Sequence, residues 1–209
     1  GKYAVTRSMA SGSGCLDIHK KEYAKDLLEE IGVDSGKLPE LVDYKETVPL
    51  TEEGSKLLGI TPGTPVLLSN PDGAMNQTGS GGLKPGIMTA SVGTSSALRM
   101  SVANAALPEE PHTWCYLSPK GCLAGAAISG GCSSIEWFRE KIAQNAPYEQ
   151  LECREDVDTP VFLPFLYGER CPGENEERSG GFYGLKPYHD RRSMYRAVQE
   201  GVLFNLRQG

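Results

Sequence analysis

Residues 87–102 read IMTASVGTSSALRMSV, and their pattern predicts how the strands pair in this part of the chain. Two apolar runs, 87–92 and 97–102, flank the turn residues Gly-Thr-Ser-Ser at 93–96. Turn residues between two extended apolar runs predict a β-hairpin. Glycine permits a close approach of the backbone, N–H groups in such a turn can bind an anion, and Thr94 and Ser95 add hydroxyl donors. An ordinary hairpin turn is the alternative explanation of the same residues.

The chain after this hairpin continues with strands and helices. Residues 114–117 and 122–128 predict a second hairpin. Residues 135–143 predict a helix with Ile135, Phe138 and Ile142 on one face. Residues 160–166 predict an apolar strand, which is followed by a polar loop.

The last part of the chain predicts a long helix. Asp190 or Ser193 is expected to cap it. Its predicted inward residues are Met194, Ala197, Val198 and Leu203.

The chain before the first hairpin carries shorter elements. Residues 22–31 predict an amphipathic helix with Leu27, Leu28 and Ile31 together, closed by Gly32. Residues 38–42 are interpreted as a turn-like link. Thr51, followed by two acids, predicts the N-cap of a helix that ends near Leu58.

A break at 61–65 places a domain boundary within residues 59–63, so the predicted domains are 1–62 and 63–209. Residues 65–69 then predict a buried strand that leads to Asp72.

Composition excludes several functional classes. The formal net charge of −6 argues against a general nucleic-acid binder, and no apolar run approaches the ~18 residues of a membrane span. The six cysteines form no Cys-x-x-Cys pair and the three histidines are scattered, which is poor spacing for zinc. Free thiols in a reducing cytoplasm are therefore expected.

Two further positions carry residues that suit acid–base chemistry and anion binding. Asp72 follows an apolar strand and begins a glycine-rich helix, so a partly desolvated carboxylate there suits a general base, with a helix cap as the alternative. Gly130 and Gly131 precede the helix at 135, which suits a phosphate or a nucleotide edge, with a simple N-cap turn as the alternative. The glycine-rich stretch 79–85 fits neither the Walker A pattern nor Gly-x-Gly-x-x-Gly.

In this order, the motifs resemble those of the FGGY carbohydrate kinases, which belong to the ribonuclease H-like, actin-like ATPase superfamily. The segments that carry the resemblance are DGAMN at 72–76, SVGTSSAL at 91–98, GGCSSIEWFR at 130–139, LPFLYGERCP at 163–172, and residues 181–201, which look like the family's second signature. The segment DGA at 72–74 and the segment LDIH at 16–19 favour gluconokinase- or xylulokinase-like members of the family.

The resemblance implies an α/β chain with the ribonuclease H-like (actin-like ATPase) fold. The chain would comprise the end of the first domain and the front part of the second domain. It implies an ATP-dependent kinase that phosphorylates a hydroxyl of a sugar, sugar acid or polyol, with ATP and Mg²⁺ bound across the cleft between the two domains. A non-catalytic ATP- or sugar-binding protein that retains the fold is the alternative.

The resemblance also assigns site residues and partners. Asp72 matches the catalytic base, and no metal-ligating side chain is assigned. The positions that match nucleotide-binding residues are Gly93, Thr94, Ser95, Gly130 and Gly131. The expected partners are ATP and the small acceptor molecule in the cytoplasm, without nucleic acid or membrane, and a homodimer is left open.

Two departures from the family pattern bear on these expectations. Ser69-Asn70-Pro71 stands before Asp72, where family members commonly have glycines. The family's first phosphate loop and its adenosine motif have no counterpart in the sequence. We therefore expect a fragment of a larger kinase, which by itself has little or no activity.

Overall fold

Strands and helices alternate irregularly along the chain. The computed structural model describes residues 2–109, 112–152 and 157–209. In the described residues the strands and α-helices, in chain order, are β1 (Ala4–Thr6), α1 (Arg7–Ser11), β2 (Leu16–Asp17), β3 (Glu22–Tyr23), α2 (Lys25–Glu30), β4 (Glu40–Val42), β5 (Thr47–Pro49), α3 (Glu52–Leu58), β6 (Pro65–Leu67), α4 (Asp72–Gly79), β7 (Met88–Val92), β8 (Ser96–Val102), β9 (Trp114–Leu117), β10 (Cys122–Ile128), α5 (Cys132–Trp137), α6 (Tyr148–Leu151), β11 (Val161–Leu163), β12 (Gly181–Tyr183) and α7 (Arg191–Gln208).

The largest sheet contains both predicted hairpins. Its strand order is β7–β8–β10–β9. β7 pairs with β8 in antiparallel register, with Val92 opposite Ser96. The two hairpins are therefore confirmed, and β7 and β8 each begin one residue away from the predicted start.

Residue contacts divide the chain into two compact units. The first contains Gly1–Ile87, Ser101–Ala106 and Cys115–Ala124, and the second contains Met88–Met100, Leu107–Trp114 and Gly125–Gly209. The predicted domain limits, 1–62 and 63–209, differ from these units, because the β5–β6 pair joins residues on both sides of position 62 within the first unit. As limits of the domains of the whole protein, they stay a prediction.

The core of the first unit joins its N-terminal elements to the second hairpin. Its buried cluster consists of Ala10, Leu16, Leu117 and Cys122. The Ser8 hydroxyl donates to the Leu117 carbonyl at 2.6 Å, and the Leu117 N–H donates to the Ser11 hydroxyl at 2.8 Å. These bonds fix α1 against β9.

α3 has the predicted ends. The Thr51 hydroxyl accepts from the Gly54 N–H at 3.1 Å, as an N-cap does. Gly59 ends the helix with φ of 69°, a left-handed conformation that glycine adopts without strain.

The predicted helix at 22–31 is shorter than expected. Glu22–Tyr23 forms β3, which pairs with β2, and α2 begins only at Lys25. Leu28 is buried, whereas Leu27 and Ile31 are exposed. A helix of six residues presents too narrow a face to bury all three.

Two other short segments also differ from expectation. Residues 38–42 were predicted as a link, but Glu40–Val42 forms β4 and pairs in parallel with β1. The strand predicted at 65–69 is present as β6, but its residues are exposed rather than buried. β6 pairs only with β5 in a two-stranded sheet, so neither of its faces is covered by a larger sheet.

The core of the second unit lies between α7 and its neighbours. The buried cluster consists of Phe138, Ala143, Ala146, Leu151, Phe162, Tyr195, Ala197 and Val198. Asp190 caps α7 through a capping box with Ser193, as predicted. Gly201 lets α7 approach β11 closely, because a Cβ there would lie 2.4 Å from the Phe162 carbonyl oxygen.

Two residues predicted to face this core are exposed instead. Ile142 lies in a π-helical turn, Phe138–Ile142, in which the Ala143 N–H donates to the Phe138 carbonyl at 2.9 Å. This wider turn changes the helical period, so Ala143 is buried in place of Ile142. Leu203 lies one position from the buried Val202 and is therefore rotated away from the core.

The described cysteines are free thiols: Cys15, Cys115, Cys122, Cys132 and Cys171. Cys153 lies outside the described residues. Within the described ranges, none of the helices has the length and apolar character that crossing a membrane requires.

Phe138 tests the core of the second unit. It is fully buried against the rings of Phe182 and Tyr195. We expect Phe138→Ala to lower the free energy of unfolding of that unit by about 3–5 kcal/mol, because a large cavity replaces the ring. Denaturant titration measures this loss.

Phe204→Ala is the matched control, since Phe204 is 63% exposed in the same unit. It should change the stability by no more than about 0.5 kcal/mol. Equal losses in the two variants would contradict the assigned core.

Candidate functional site

The tip of the β7–β8 hairpin is a tight exposed turn. Val92 pairs with Ser96, so Gly93, Thr94 and Ser95 form the loop between the strands. The Gly93 N–H donates to the Ser95 carbonyl at 3.0 Å. All three residues are exposed, which leaves the hydroxyls of Thr94 and Ser95 accessible to a ligand.

The beginning of α5 holds this hairpin through backbone bonds. The Cys132 N–H donates to the Gly93 carbonyl at 2.6 Å, and the Ser133 N–H donates to the Thr94 carbonyl at 3.2 Å. The first N–H groups of a helix have no partner within the helix. In this protein they bind the carbonyls of the hairpin and fix its shape.

Gly130 and Gly131 are buried because other groups occupy the space of their missing side chains. A Cβ on Gly131 would lie 2.5 Å from the Gly93 carbonyl oxygen and 2.5 Å from the Ser96 hydroxyl. A Cβ on Gly130 would lie 2.3 Å from the Pro164 carbonyl oxygen. The two glycines therefore permit close packing, Gly131 against the hairpin and Gly130 against the segment that follows β11.

The start of α5 is an N-cap turn without a capping side chain. Gly131 occupies the N-cap position, and no side chain, Ser133 and Ser134 included, caps the helix. The Ser133 hydroxyl donates to the Ser129 carbonyl at 3.3 Å instead.

A cleft of about 410 Å³ lies beside the hairpin in the second unit. Its lining residues are Thr94, Cys132, Ser133, Glu136, Trp137, Glu140, Lys141 and Tyr167. Of these lining residues, only Thr94 was predicted from the sequence to belong to the site. The helical period could have identified the others on this helix from the sequence, because positions 133, 136, 137, 140 and 141 share one face of an α-helix.

The cleft contains a carboxylate that stays ionised at neutral pH. Arg139 donates to Glu136 from Nε at 3.0 Å, and the Tyr148 hydroxyl donates to Glu136 at 2.6 Å. These bonds, the one from Arg139 above all, lower the pKa of Glu136 to about 2. Arg139 compensates this charge in an ion pair, so the wall of the cleft at Glu136 presents a paired carboxylate, whose Oε1 can still accept a further hydrogen bond.

Asp72 is the first residue of α4 and lies in the first unit. Its Oδ1 accepts from the Gly73 N–H at 2.6 Å, a backbone donor of the first turn, although Pro71 rather than Asp72 occupies the N-cap position. Within the ranges that the structure describes, Asp72 forms no ion pair.

Asp72 is exposed in this chain, although we predicted a partly desolvated carboxylate. The buried face of α4 consists of Gly73, Ala74 and Gln77, and Asp72 lies outside that face.

The structure thus brings together only some of the predicted site residues. The hairpin residues 93–95 contact the segment at Gly131 within the second unit. Asp72 belongs to the first unit. Among the described residues, no group of three or more His, Cys, Asp or Glu side chains is arranged to hold a metal ion.

Comparisons with known proteins match both units. The family model "FGGY family of carbohydrate kinases, C-terminal domain" matches residues 88–209. The corresponding N-terminal domain model matches residues 1–79. Gluconokinase from Bacillus subtilis is 28% identical over 222 aligned positions, which cover 98% of this chain and 43% of the relative. Xylulose kinase from Escherichia coli is also 28% identical. The alignment covers 100% of this chain and 44% of that relative.

A solved structure shows the same likeness. The crystal structure of ligand-bound xylulose kinase from Lactobacillus acidophilus superposes with a TM-score of 0.90 at 29% identity. The match covers 99% of this chain and 44% of that chain. The chain therefore spans less than half the length of the relatives that it matches.

The contact between Gly131 and the hairpin gives a direct test. We expect Gly131→Ala to displace the hairpin, because the added Cβ overlaps the Gly93 carbonyl oxygen and the Ser96 hydroxyl. The bonds that Cys132 and Ser133 donate would then weaken. Exchange of these two amide protons, followed by NMR, should accelerate at least about tenfold if more than ~1.4 kcal/mol of local stability is lost.

Gly181→Ala is the control, since a Cβ at that position has nothing within 4 Å. It should leave both exchange rates unchanged. Unchanged rates in Gly131→Ala as well would show that α5 does not hold the hairpin.

Proposed function

Because the chain belongs to the FGGY family of carbohydrate kinases and carries part of its ribonuclease H-like, actin-like ATPase fold, we propose that the protein containing it phosphorylates a sugar, sugar acid or polyol hydroxyl with ATP. The observation that carries this proposal is the exposed Gly93–Thr94–Ser95 turn, which backbone hydrogen bonds join to the start of α5. Such a turn presents hydroxyls to a phosphate while the carbonyls of Gly93 and Thr94 bind the start of a neighbouring helix.

The activity is proposed for the whole protein rather than for this chain alone. The chain covers 43–44% of the gluconokinase and xylulose kinase that it resembles. Both relatives act on small carbohydrates according to their names, and this supports the same class of acceptor here. We also propose that the protein is located in the cytoplasm. Homodimer formation stays a prediction.

Asp72 is proposed as the general base. It would accept the proton of the attacking hydroxyl while that oxygen bonds to the γ-phosphorus and the bond to the bridging oxygen of ADP breaks. Its carboxylate has no ion pair within the described part of the chain, and only its own neighbour Gly73 donates to Oδ1. The other carboxylate oxygen, Oδ2, accepts no hydrogen bond from the described residues and is available to take a proton.

The hairpin is proposed to hold the phosphates of ATP. Thr94 and Ser95 would donate their hydroxyls to phosphate oxygens, and Gly93 permits the close approach. Gly130 and Gly131 would act indirectly, since their contacts support the packing that holds the hairpin. Catalysis of this kind is mainly positioning and charge stabilisation.

Mg²⁺ is proposed to arrive with the nucleotide. The described residues contain no side-chain cluster that would cage a metal ion. Mg²⁺ commonly keeps several waters and binds through phosphates and one or two carboxylates, which fits an ion carried by ATP. When bound, it would neutralise charge on the phosphates.

The cleft beside Thr94 is proposed to take the nucleoside part of ATP. The ionised Glu136 is paired with Arg139, and its Oε1 could accept a further hydrogen bond from a ribose hydroxyl. Trp137 and Tyr167 line the same cleft and offer aromatic surface to a base.

The proposed base is tested by Asp72→Asn in the full-length protein. The amide cannot accept the proton, so kcat should fall by about 10²–10⁴-fold, while the Kd for ATP changes by less than about threefold. Coupled-assay turnover with gluconate, xylulose, ribulose and glycerol measures the first quantity, and calorimetry measures the second.

Asp43→Asn serves as the control, because Asp43 is also an exposed acid of the first unit. It should keep the wild-type kcat. Wild-type turnover in Asp72→Asn would remove Asp72 from this role. A wild-type protein that binds ATP but phosphorylates no acceptor would favour the non-catalytic alternative.

A further inference from the structure

The helix that carries Asp72 has little apolar surface to hold it in place. α4 has eight residues, and its buried residues are Gly73, Ala74 and Gln77. Helices shorter than ~12–15 residues are marginal by themselves in water, and two of these three side chains are minimal in size. No side chain caps the N-terminus of α4 either. Its orientation must therefore depend strongly on Gln77.

The Gln77 amide lies at the centre of a buried polar cluster. It is 1% exposed, and its Nε2 donates to the Gly82 carbonyl at 3.0 Å and to the Ile87 carbonyl at 3.0 Å. Ser101 Oγ lies 3.3 Å from Nε2, and the Ser101 hydroxyl donates to the Gly82 carbonyl. One amide thus joins α4 to the loop that follows it and to Ser101 near the end of β8, all within the first unit.

The glycine-rich stretch at 79–86 is shaped around this amide. A Cβ on Gly82 would lie 2.4 Å from Gln77 Nε2, so a larger residue there would displace the amide from its position. The φ angles of Gly81 and Gly86 are +78° and +85°, which turn the loop back toward α4. This glycine-rich stretch, which fits neither the Walker A pattern nor Gly-x-Gly-x-x-Gly, therefore packs around the side chain of Gln77.

We propose that Gln77 is a positioning residue of the phosphoryl transfer, which fixes α4 and through it the carboxylate of Asp72. The proposal rests on the proposed function of Asp72 as the base. A misplacement of about 1 Å in a reacting group can cost about 10²-fold in rate. Loss of the bonds from Gln77 would free α4 to shift and rotate, and Asp72 at its first residue moves with it.

The first variant is Gln77→Leu in the full-length protein. It keeps the size of the side chain and removes the donor. We expect kcat to fall by about 10–100-fold while the KM for ATP changes by less than about threefold, since α4 is not part of the proposed nucleotide cleft. Circular dichroism at the assay temperature shows that the variant is folded.

The second variant, Gln77→Glu, tests the hydrogen bonds themselves. An ionised carboxylate would face three oxygen atoms, whereas a protonated one donates a single bond. The kcat of this variant relative to wild type should therefore rise as the pH is lowered. If Gln77→Leu does not fold, this pH profile decides the question.

Thr78→Ala is the matched control on the same helix. The Thr78 hydroxyl donates to the Ala74 carbonyl at 2.7 Å, inside α4, so its removal leaves the cluster around Gln77 intact. It should keep the wild-type kcat.

Two results would overturn the proposal: wild-type kcat in Gln77→Leu, or a relative kcat of Gln77→Glu that does not depend on pH. Both are read against an active wild-type protein. Failure of the wild-type protein to phosphorylate any acceptor would contradict the proposed function instead.

Discussion

The candidate phosphate site depends on the absence of a side chain at Gly131. Because no Cβ stands there, the Gly93 carbonyl and the Ser96 hydroxyl pack directly against the backbone before α5. The N–H groups of Cys132 and Ser133 can then bind the hairpin carbonyls. A free helix N-terminus would attract phosphate by itself, but here it fixes the loop that is proposed to do so. The rigidity of the hairpin is thus provided by its neighbour in space, not by its own turn residues.

A glycine also permits close packing against a polar group in the first unit. Gly82 approaches the amide of Gln77 as Gly131 approaches the hairpin, and in both places a polar group occupies the space that a side chain would need. The high glycine content, 25 of 209 residues, is explained in part by such contacts. Glycines of this kind are needed for fixed geometry rather than for flexibility, which suits the proposed phosphoryl transfer, since its catalysis would be mainly positioning.

The sequence was sufficient to predict elements whose signals are local. Turn residues between apolar runs located both hairpins, and Thr51 and Asp190 marked the starts of α3 and α7. The burial of individual side chains was harder to predict, because it depends on tertiary packing. The π-helical turn after Trp137 exposes Ile142, and β6 has only β5 beside it. The spatial roles of Gly131 and Gln77 depend on partners distant in the chain, which no local pattern contains. The family resemblance supplied the order of the site residues but not their contacts.

The role of the hairpin is measured most directly by hydrogen–deuterium exchange in the full-length protein, with and without a non-hydrolysable ATP analogue and Mg²⁺. If Gly93, Thr94 and Ser95 hold the phosphates, peptides that span these residues become protected when the analogue binds, and peptides around the exposed turn at Ser35–Lys37 do not. Saturating binding of the analogue without any protection of the hairpin would contradict the account.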